Sequence, residues 1–494
     1  MTLDAAVRRA AEGTDRLFAS RAAERHAPSA SYGVFTPSGL VHTGSTGEVA
    51  GRAPTADTVY RVASCTKSFT ATALLALRDR GAVSLDEPVT AYVPAFADVV
   101  LPTFDSPVPT LRMLLTMSAG LPTDDPWGDR QESLGDDEFD ALLRRGLRFD
   151  SVPGTRFAYS NLGYALLGRV VTVASGRPYR EVVSETVLAP LGLDSTTFER
   201  PASADDRLAV GHRPVGDGWE PLPFSGPGAF SSIGGLFSTV RDLARWAGYL
   251  ASAFSPQEAR GDAPTEILSR ASRRELQQLY RSAPLLPGAP TGYGFGLFVH
   301  DDPDLGPVVS HSGGYPGFSA HMRWHTASGV GIVAFENATA AQVAVPAAAT
   351  LHGLLLDVGA APAPRVWPET LEARLLVEAA LRGADLPEAA VSENVELDVP
   401  FVRRRAAWDE VVAAVGGLLE ARDAAAAPSG TVDLDATVDR EASIDREAGE
   451  ESSAPSHLVW RMPGAHGRLR VEVRLTPEAR PRIQTLVVRA ESGA

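Results

Sequence analysis

Apolar positions recur at helical spacing in the middle of the chain, over residues 64–80, 162–174 and 239–251, with Pro- and Gly-rich loops between these stretches. On both sides of that middle the pattern becomes strand-like. SYGVFTPSGLVHTG, residues 31–44, sets two short apolar segments around a Pro-Ser-Gly turn and predicts a hairpin. From residue 292 to 337 come GYGFGLFVH, GFSAHMRWH, a Thr-Ala-Ser-Gly turn and VGIVAFEN, which predict further strands. The opening MTLDAAVRRAAEGTDRLFASRAAERHA reads as an amphipathic helix broken by charges every few residues. Strands at both ends and helices between them predict a single sheet assembled from the two ends, with a helical insert over about residues 80–285.

The texture changes after APAPRVWPE, which begins at residue 361. Residues 369–422 read as helical except for ENVELDV, a short strand candidate. Residues 423–456 are acidic and poor in aromatics, the composition of a disordered insertion. The tail HLVWRMPGAHGRLRVEVRLTPEARPRIQTLVVR alternates like a hairpin. The predicted organisation is therefore a first domain over residues 1–360 and a small α+β domain over 365–494, read as a packing or dimerisation module. The fold class is α/β (α+β), an antiparallel sheet flanked by helices with a mostly helical subdomain.

Composition narrows the function classes. The chain has 494 residues, 44% hydrophobic and 22% charged, the profile of a globular protein with a large core. No apolar run reaches the roughly 18 residues of a membrane span. The first segment lacks the continuous apolar stretch of a secretory signal, and one cysteine excludes an internal disulfide, so a cytoplasmic setting is expected. Net charge is −15, and RRR at 403–405 is the one basic block, which argues against nucleic acid and anionic membranes as partners. A small-molecule substrate is expected instead, and a homo-oligomer is allowed for.

Among 46 basic side chains Lys67 is the only lysine. Arginine cannot be deprotonated under protein conditions, whereas a buried lysine can act as a base. Ser64 precedes it by three residues at the start of a predicted helix, so the two side chains share a face. There the helix end favours developing negative charge on a serine nucleophile. Lys67 acts as a base near pH 7 only if its pKa falls by about three units, or else a second group takes the proton. PGTRFAYSNLGYALLG, residues 153–168, supplies Tyr159 and Asn161 two apart in a loop before a helix. A phenol beside a cationic lysine becomes more acidic and can pass protons, and an amide can hold a substrate carbonyl. Between strand segments, His311-Ser312-Gly313-Gly314 offers backbone N–H groups that a ligand can approach. Taken singly, each piece also reads as a capped helix, a buried tyrosine or a Gly-rich turn.

Together, Ser64-Cys65-Thr66-Lys67, Tyr159-Ser160-Asn161 and His311-Ser312-Gly313 fall in the order and spacing of S-x-x-K, Y-x-N and K/H-x-G motifs. The chain thus resembles serine hydrolases of the class C β-lactamase, D-alanyl-D-alanine carboxypeptidase and D-aminopeptidase-esterase superfamily over roughly residues 5–357. LLTMSAGLP (114–122), GGLFSTVRDLARW (234–246) and YGFGLFV (293–299) fit the same pattern. The resemblance implies an α/β domain plus a helical domain with the site in the cleft. It implies Ser64 as acylated nucleophile, Lys67 and Tyr159 as acid/base groups in undecided order, and Asn161 as a binder of substrate amide. The oxyanion hole would be the N–H groups of Ser64 and Gly314, beside His311, Ser312 and Gly313.

Two departures matter. His-Ser-Gly replaces the Lys-Thr-Gly of class C β-lactamases, as in the peptidase, D-aminopeptidase and esterase branches, and Met117 stands where many relatives carry histidine. The implied activity is hydrolysis of a small amide, D-amino-acid peptide or ester. The alternatives are a weak β-lactamase or a non-catalytic protein keeping the fold. No cofactor or metal is expected: no carboxylate or cysteine completes a ligand set with His321 and His325. Cys65, about 100° round the helix from Ser64, is expected to pack inward.

Overall fold

The structure, a computed structural model, describes residues 2–492 apart from 202–205, 256–266, 284–290, 304, 340, 361–365 and 420–449. It divides into two compact units, Met1–Ala361 and Pro362–Ala494. In the first, helices α1 (Leu3–Ala10) and α2 (Glu12–Ala23) lead into strands β1 (Ser29–Thr36) and β2 (Gly39–Gly47), the hairpin expected around Pro37-Ser38. The helical middle contains α3 (Thr66–Asp79), α4 (Asn161–Ser175) and α5 (Val240–Ala251). Then follow β3 (Arg281–Ser282), β4 (Thr291–Tyr293), β5 (Phe298–Asp302), β6 (Gly306–Tyr315), β7 (Phe318–His325), β8 (Gly331–Glu336) and α6 (Ala344–Asp357).

The eight strands form one sheet in the order β2-β1-β8-β7-β6-β5-β4-β3. The N-terminal hairpin joins the C-terminal strands through β1 and β8, antiparallel from Ala30↔Glu336 to Phe35↔Gly331. The sheet is thus closed from both ends of the unit, as the alternation of patterns predicts. Every residue of β1 and β8 is buried because both faces are covered. Period-2 alternation sorts their side chains. Val34, Ile332 and Ala334 meet α1, α2 and α6 on one face, while Phe35, Val333 and Phe335 face the main core with α3, α4 and α5.

In the second unit, α7 (Pro368–Leu381) and α8 (Phe401–Ala414) pack on a three-stranded antiparallel sheet, β9 (His457–Pro463), β10 (Gly467–Leu475) and β11 (Ile483–Ser492). The expected hairpin is thus two strands of three. ENVELDV is not a strand: residues Glu393–Asp398 form a short helix. Of its apolar residues only Val395 is buried, and Leu397 is 80% exposed, so no face existed for a strand pattern to bury. Of the stretch expected to be disordered, residues 423–449 lie outside the described residues. Residues 450–456 are described, and Glu451 exchanges backbone hydrogen bonds of 2.9 and 2.8 Å with Val459 of β9.

Candidate active site

A single 3-10 turn, Ala63–Cys65, places Ser64 immediately ahead of α3. Ala63 holds φ 48°, a left-handed conformation that costs an L-residue about 1–3 kcal/mol and is kept only where its surroundings dictate it. Those surroundings are β6 and the short helix Ser231–Gly234, which ends against Ala63. A Cβ on Gly313 would stand 2.3 Å from the Val62 carbonyl oxygen, so only glycine lets β6 come this close to the turn. Gly296, at φ +73°, approaches the other end: its Cβ would meet the Lys67 carbonyl oxygen at 2.6 Å. Gly314 has nothing within 4 Å of its missing side chain and faces open space.

Lys67 is the second residue of α3, one turn after Ser64, and is fully buried, whereas Ser64 keeps 7% exposure. The Lys67 Nζ is 2.8 Å from Ser64 Oγ, 2.7 Å from Asn161 Oδ1 and 2.9 Å from the Ile233 carbonyl oxygen. Two of these three partners are oxygens that can only accept. A neutral amine therefore keeps its two hydrogens on Asn161 and Ile233, which turns its lone pair toward the Ser64 hydroxyl. The Asn161 amide is held in this sense because its Nδ2 donates to the Asp125 carboxylate. Burial drives the Lys67 pKa down to about 8, against the opposing pull of Asp125, Asp129 and Asp124.

Tyr159 differs from its expected behaviour. Its phenol lies beside Ser64, and its ring centre is 5.0 Å from Lys67 Nζ. Burial, with Asp125 behind it, raises its pKa well above the ordinary phenol value. The acidifying influence expected of the lysine is outweighed, because a phenolate here would lose its solvation among carboxylates. Tyr159 is thus a neutral hydroxyl at working pH. It is fixed by neighbours on both sides: Ala158 N–H donates to the Met117 carbonyl at 2.8 Å, and Ser160 N–H to the Met117 thioether at 3.3 Å.

Asn161 opens α4, capped by Ser160, whose Oγ accepts from Gly163 N–H at 3.3 Å. Asp124 accepts the backbone N–H groups of Asn161 and Leu162 at 2.6 and 2.8 Å, placing a carboxylate at the positive end of that helix. His311 is buried, with Nδ1 2.6 Å from the Ser312 carbonyl oxygen and Nε2 3.0 Å from the Tyr293 hydroxyl. A carbonyl can only accept, so Nδ1 carries the proton and Nε2 accepts from Tyr293. Burial and the Lys67 charge push its pKa down to about 3, so the ring is neutral. Ser312 is exposed and bonds His321 Nδ1 at 2.9 Å. Cys65 packs inward as expected: its thiol faces the His311 carbonyl at 3.4 Å, and burial pushes its pKa up to about 12. His325 contacts Ser328 and the Leu305 carbonyl, separately from His321. Among the described residues no cluster of His, Cys, Asp and Glu could hold a metal ion.

Ser64, Lys67, Tyr159, Asn161 and the 311–314 stretch of β6 therefore converge, and residues 14–356 match the family model described as Beta-lactamase. The chain belongs to the Beta-lactamase family. It is accordingly a serine hydrolase. The D-alanyl-D-alanine-carboxypeptidase/endopeptidase AmpH of Escherichia coli is 31% identical over 278 residues, 54% of this chain and 68% of that one. Penicillin-binding protein 4 of Amycolatopsis lactamdurans is 29% identical over 62% of this chain and 80% of its own. Among solved structures, an octameric penicillin-binding protein homologue from Pyrococcus abyssi aligns over 97% of this chain and 99% of its own (TM-score 0.60, 21% identity). A D-stereospecific amidohydrolase from Streptomyces sp. covers 70% and 98% (TM-score 0.54, 23% identity). At these identities the structural likenesses speak for the fold.

Within this Beta-lactamase-family site, several participants had not been singled out from the sequence. The Ile233 carbonyl, Tyr293, and the carboxylates of Asp124, Asp125 and Asp129 all act on Lys67, Tyr159 or His311. The acidic run TDDP directly follows LLTMSAGLP and was a visible signal, but nothing local tied it to Lys67. No helix among the described residues is long and apolar enough to cross a membrane.

Proposed function

We propose that this hydrolase acts on a small amide, D-amino-acid peptide or ester through an acyl-enzyme on Ser64. The observation that carries the reading is the buried Lys67 amine, 2.8 Å from Ser64 Oγ and held by two oxygens that can only accept. Neutral Lys67 takes the Ser64 proton as Oγ bonds to the substrate carbonyl carbon. The N–H groups of Ser64 and Gly314 receive the oxyanion, at a place where Gly314 meets open space. When the scissile bond breaks, Tyr159 gives its proton to the leaving nitrogen or oxygen and regains one from the Lys67 ammonium. Water then attacks the acyl carbon, passes a proton through the same pair, and Ser64 leaves protonated. The names of two similar proteins, a D-alanyl-D-alanine carboxypeptidase and a D-stereospecific amidohydrolase, support D-amino-acid amides as the substrate class.

A fluorophosphonate is expected to add covalent mass to the intact chain, and none to Ser64→Ala. Equal labelling of both proteins, or of neither, would remove Ser64 from the chemistry. Turnover of a chromogenic cephalosporin well above that of D-alanyl amides would instead favour a β-lactamase.

The pH dependence has a definite sign. The neutral amine is the base, so kcat/KM falls as pH drops through the Lys67 value of about 8, and approaches tenfold per pH unit below it. Tyr159 titrates above the ordinary phenol range, so it imposes no alkaline loss near pH 9 to 10, within about a unit of a free phenol. A profile that peaks near pH 6 would exclude Lys67 as the base.

A further inference from the structure

The acyl-transfer steps leave one strained residue without a role. Met117, just after the short helix Leu111–Leu115, holds φ 55°, in the left-handed region that L-residues avoid, and is 2% exposed. Glycine would take this conformation without strain, so a side chain kept here is kept for what it touches. What it touches is the turn that carries Tyr159. The Met117 carbonyl accepts from Ala158 N–H at 2.8 Å, and its thioether accepts from Ser160 N–H at 3.3 Å. One residue thus supplies both acceptors, and the two donors flank Tyr159 in sequence. The hold continues along the same segment: the Ser118 carbonyl accepts from Gly154 N–H at 2.7 Å, and the Gly120 carbonyl from Asp150 N–H at 2.9 Å.

The Tyr159 ring meets those of Tyr293, Phe298 and His311 at centre distances of 6.3, 6.4 and 6.2 Å. Such packing is less directional than hydrogen bonds to the backbone, so the turn sets where the phenol points. The hydroxyl stands at the far end of its side chain. A small rotation of the turn is therefore magnified where the proton is handed over, and a misplacement of about 1 Å costs about 10²-fold in rate. Asn161, two residues on, has anchors of its own: its backbone N–H donates to Asp124 at 2.6 Å and its amide to Asp125. Loosening at Met117 consequently reaches Tyr159 and spares Asn161.

We propose that Met117 is a positioning residue for the proton that Tyr159 gives to the leaving group, acting through its thioether, and that it governs the hydrolysis of amides more than that of activated esters. An amine does not leave the tetrahedral intermediate as its anion, so its nitrogen takes the Tyr159 proton as the C–N bond breaks. A p-nitrophenolate departs without one. The thioether accepts a backbone N–H throughout and makes or breaks no covalent bond, so the proton count of the acyl-transfer steps is unchanged. This rests on the acyl-enzyme reading of Ser64 given above, and adds what sets its tolerance of a poor leaving group.

The test measures kcat/KM, which reports the acylation step, for D-alanine p-nitroanilide and p-nitrophenyl acetate on one preparation of the full-length protein. The ratio of the two values does not depend on how much of a variant is folded. In Met117→Leu, which keeps the volume and removes the acceptor, the anilide value is expected to fall about tenfold relative to the ester. Met117→Gln, which returns an oxygen acceptor, is expected to recover most of that ratio. In a Tyr159→Phe background, Met117→Leu is expected to move the ratio by less than about twofold, because the proton it positions is gone. A Met117→Leu ratio within about twofold of the wild type overturns the proposal, since the residue then only fills the core. A Met117→Gln ratio no better than that of Met117→Leu overturns it too, and so does a full tenfold loss in the Tyr159→Phe background. Absence of anilide turnover by a wild-type protein whose Ser64 takes up fluorophosphonate overturns it as well. Failure of that labelling overturns the acyl-enzyme reading itself, and this proposal with it.

Discussion

Lys67→Arg is expected to lower kcat/KM by about 10²- to 10⁴-fold, the range that positioned proton transfer contributes. Arginine keeps the charge and can reach Asn161 Oδ1 and the Ile233 carbonyl, but it cannot be deprotonated. The lone pair that lysine turns toward Ser64 has no counterpart on a guanidinium. Position 67 is fully buried, so the larger head strains its pocket, by about 1–3 kcal/mol for a typical overpacked site. Thermal melts separate this from chemistry, and Lys67→Met gives a smaller, neutral control. Retention of more than about a tenth of kcat, a barrier change under about 1.4 kcal/mol, would show that Lys67 moves no proton.

The second large effect concerns stability. Arg61 and Glu132 form a buried ion pair, each no more than 2% exposed, and Tyr315 donates to Glu132 Oε2 at 2.6 Å. The Arg61 guanidinium lies 4.2 Å from the Tyr315 ring centre and 4.8 Å from that of Phe237. Burial raises the Glu132 pKa despite the Arg61 charge beside it, so desolvation is the larger influence on this pair. Removing one partner leaves the other charge uncompensated. Glu132→Gln is expected to cost about 3–5 kcal/mol in urea unfolding of the full-length protein. Arg61 Nη1 and Glu132 Oε1 already lack partners among the described residues, which places the cost toward the lower end. The double variant Arg61→Met, Glu132→Met is expected to lose clearly less than Glu132→Gln alone, because no charge stays buried. A double variant that loses at least as much as the single one would show that the pair is a net source of stability. Tyr315 follows Gly314 directly, so Glu132→Gln is also expected to lower kcat by loosening the end of β6 that carries the oxyanion N–H.

The architecture of the first unit was readable because its two periodicities are local. The switch from period two to helical spacing and back located β1, β2 and β5–β8 around the helical middle, and the pairing of β1 with β8 closes the sheet between them. Ser64 and Lys67 were readable together for a related reason: three residues on one helix fix the separation of two side chains whatever surrounds them. ENVELDV misled because seven residues satisfy a strand or a helix equally, and the choice fell to which side chain found a core. The acidity of Tyr159 misled for a longer-range reason. Its charged neighbours include Asp125 and Asp129, thirty or more positions away, and burial is the largest influence on it.

By itself, then, the chain determined the order of its elements, the nucleophile and the one amine able to serve it, since spacing and residue type carry that information over short distances. Only the folded molecule decided that Lys67 would be buried enough to give up its proton, that Asn161 would be turned by Asp125, and that His311 would be neutral. Desolvation and Coulomb interactions depend on distances through space between groups far apart along the chain, and folding is what sets those distances.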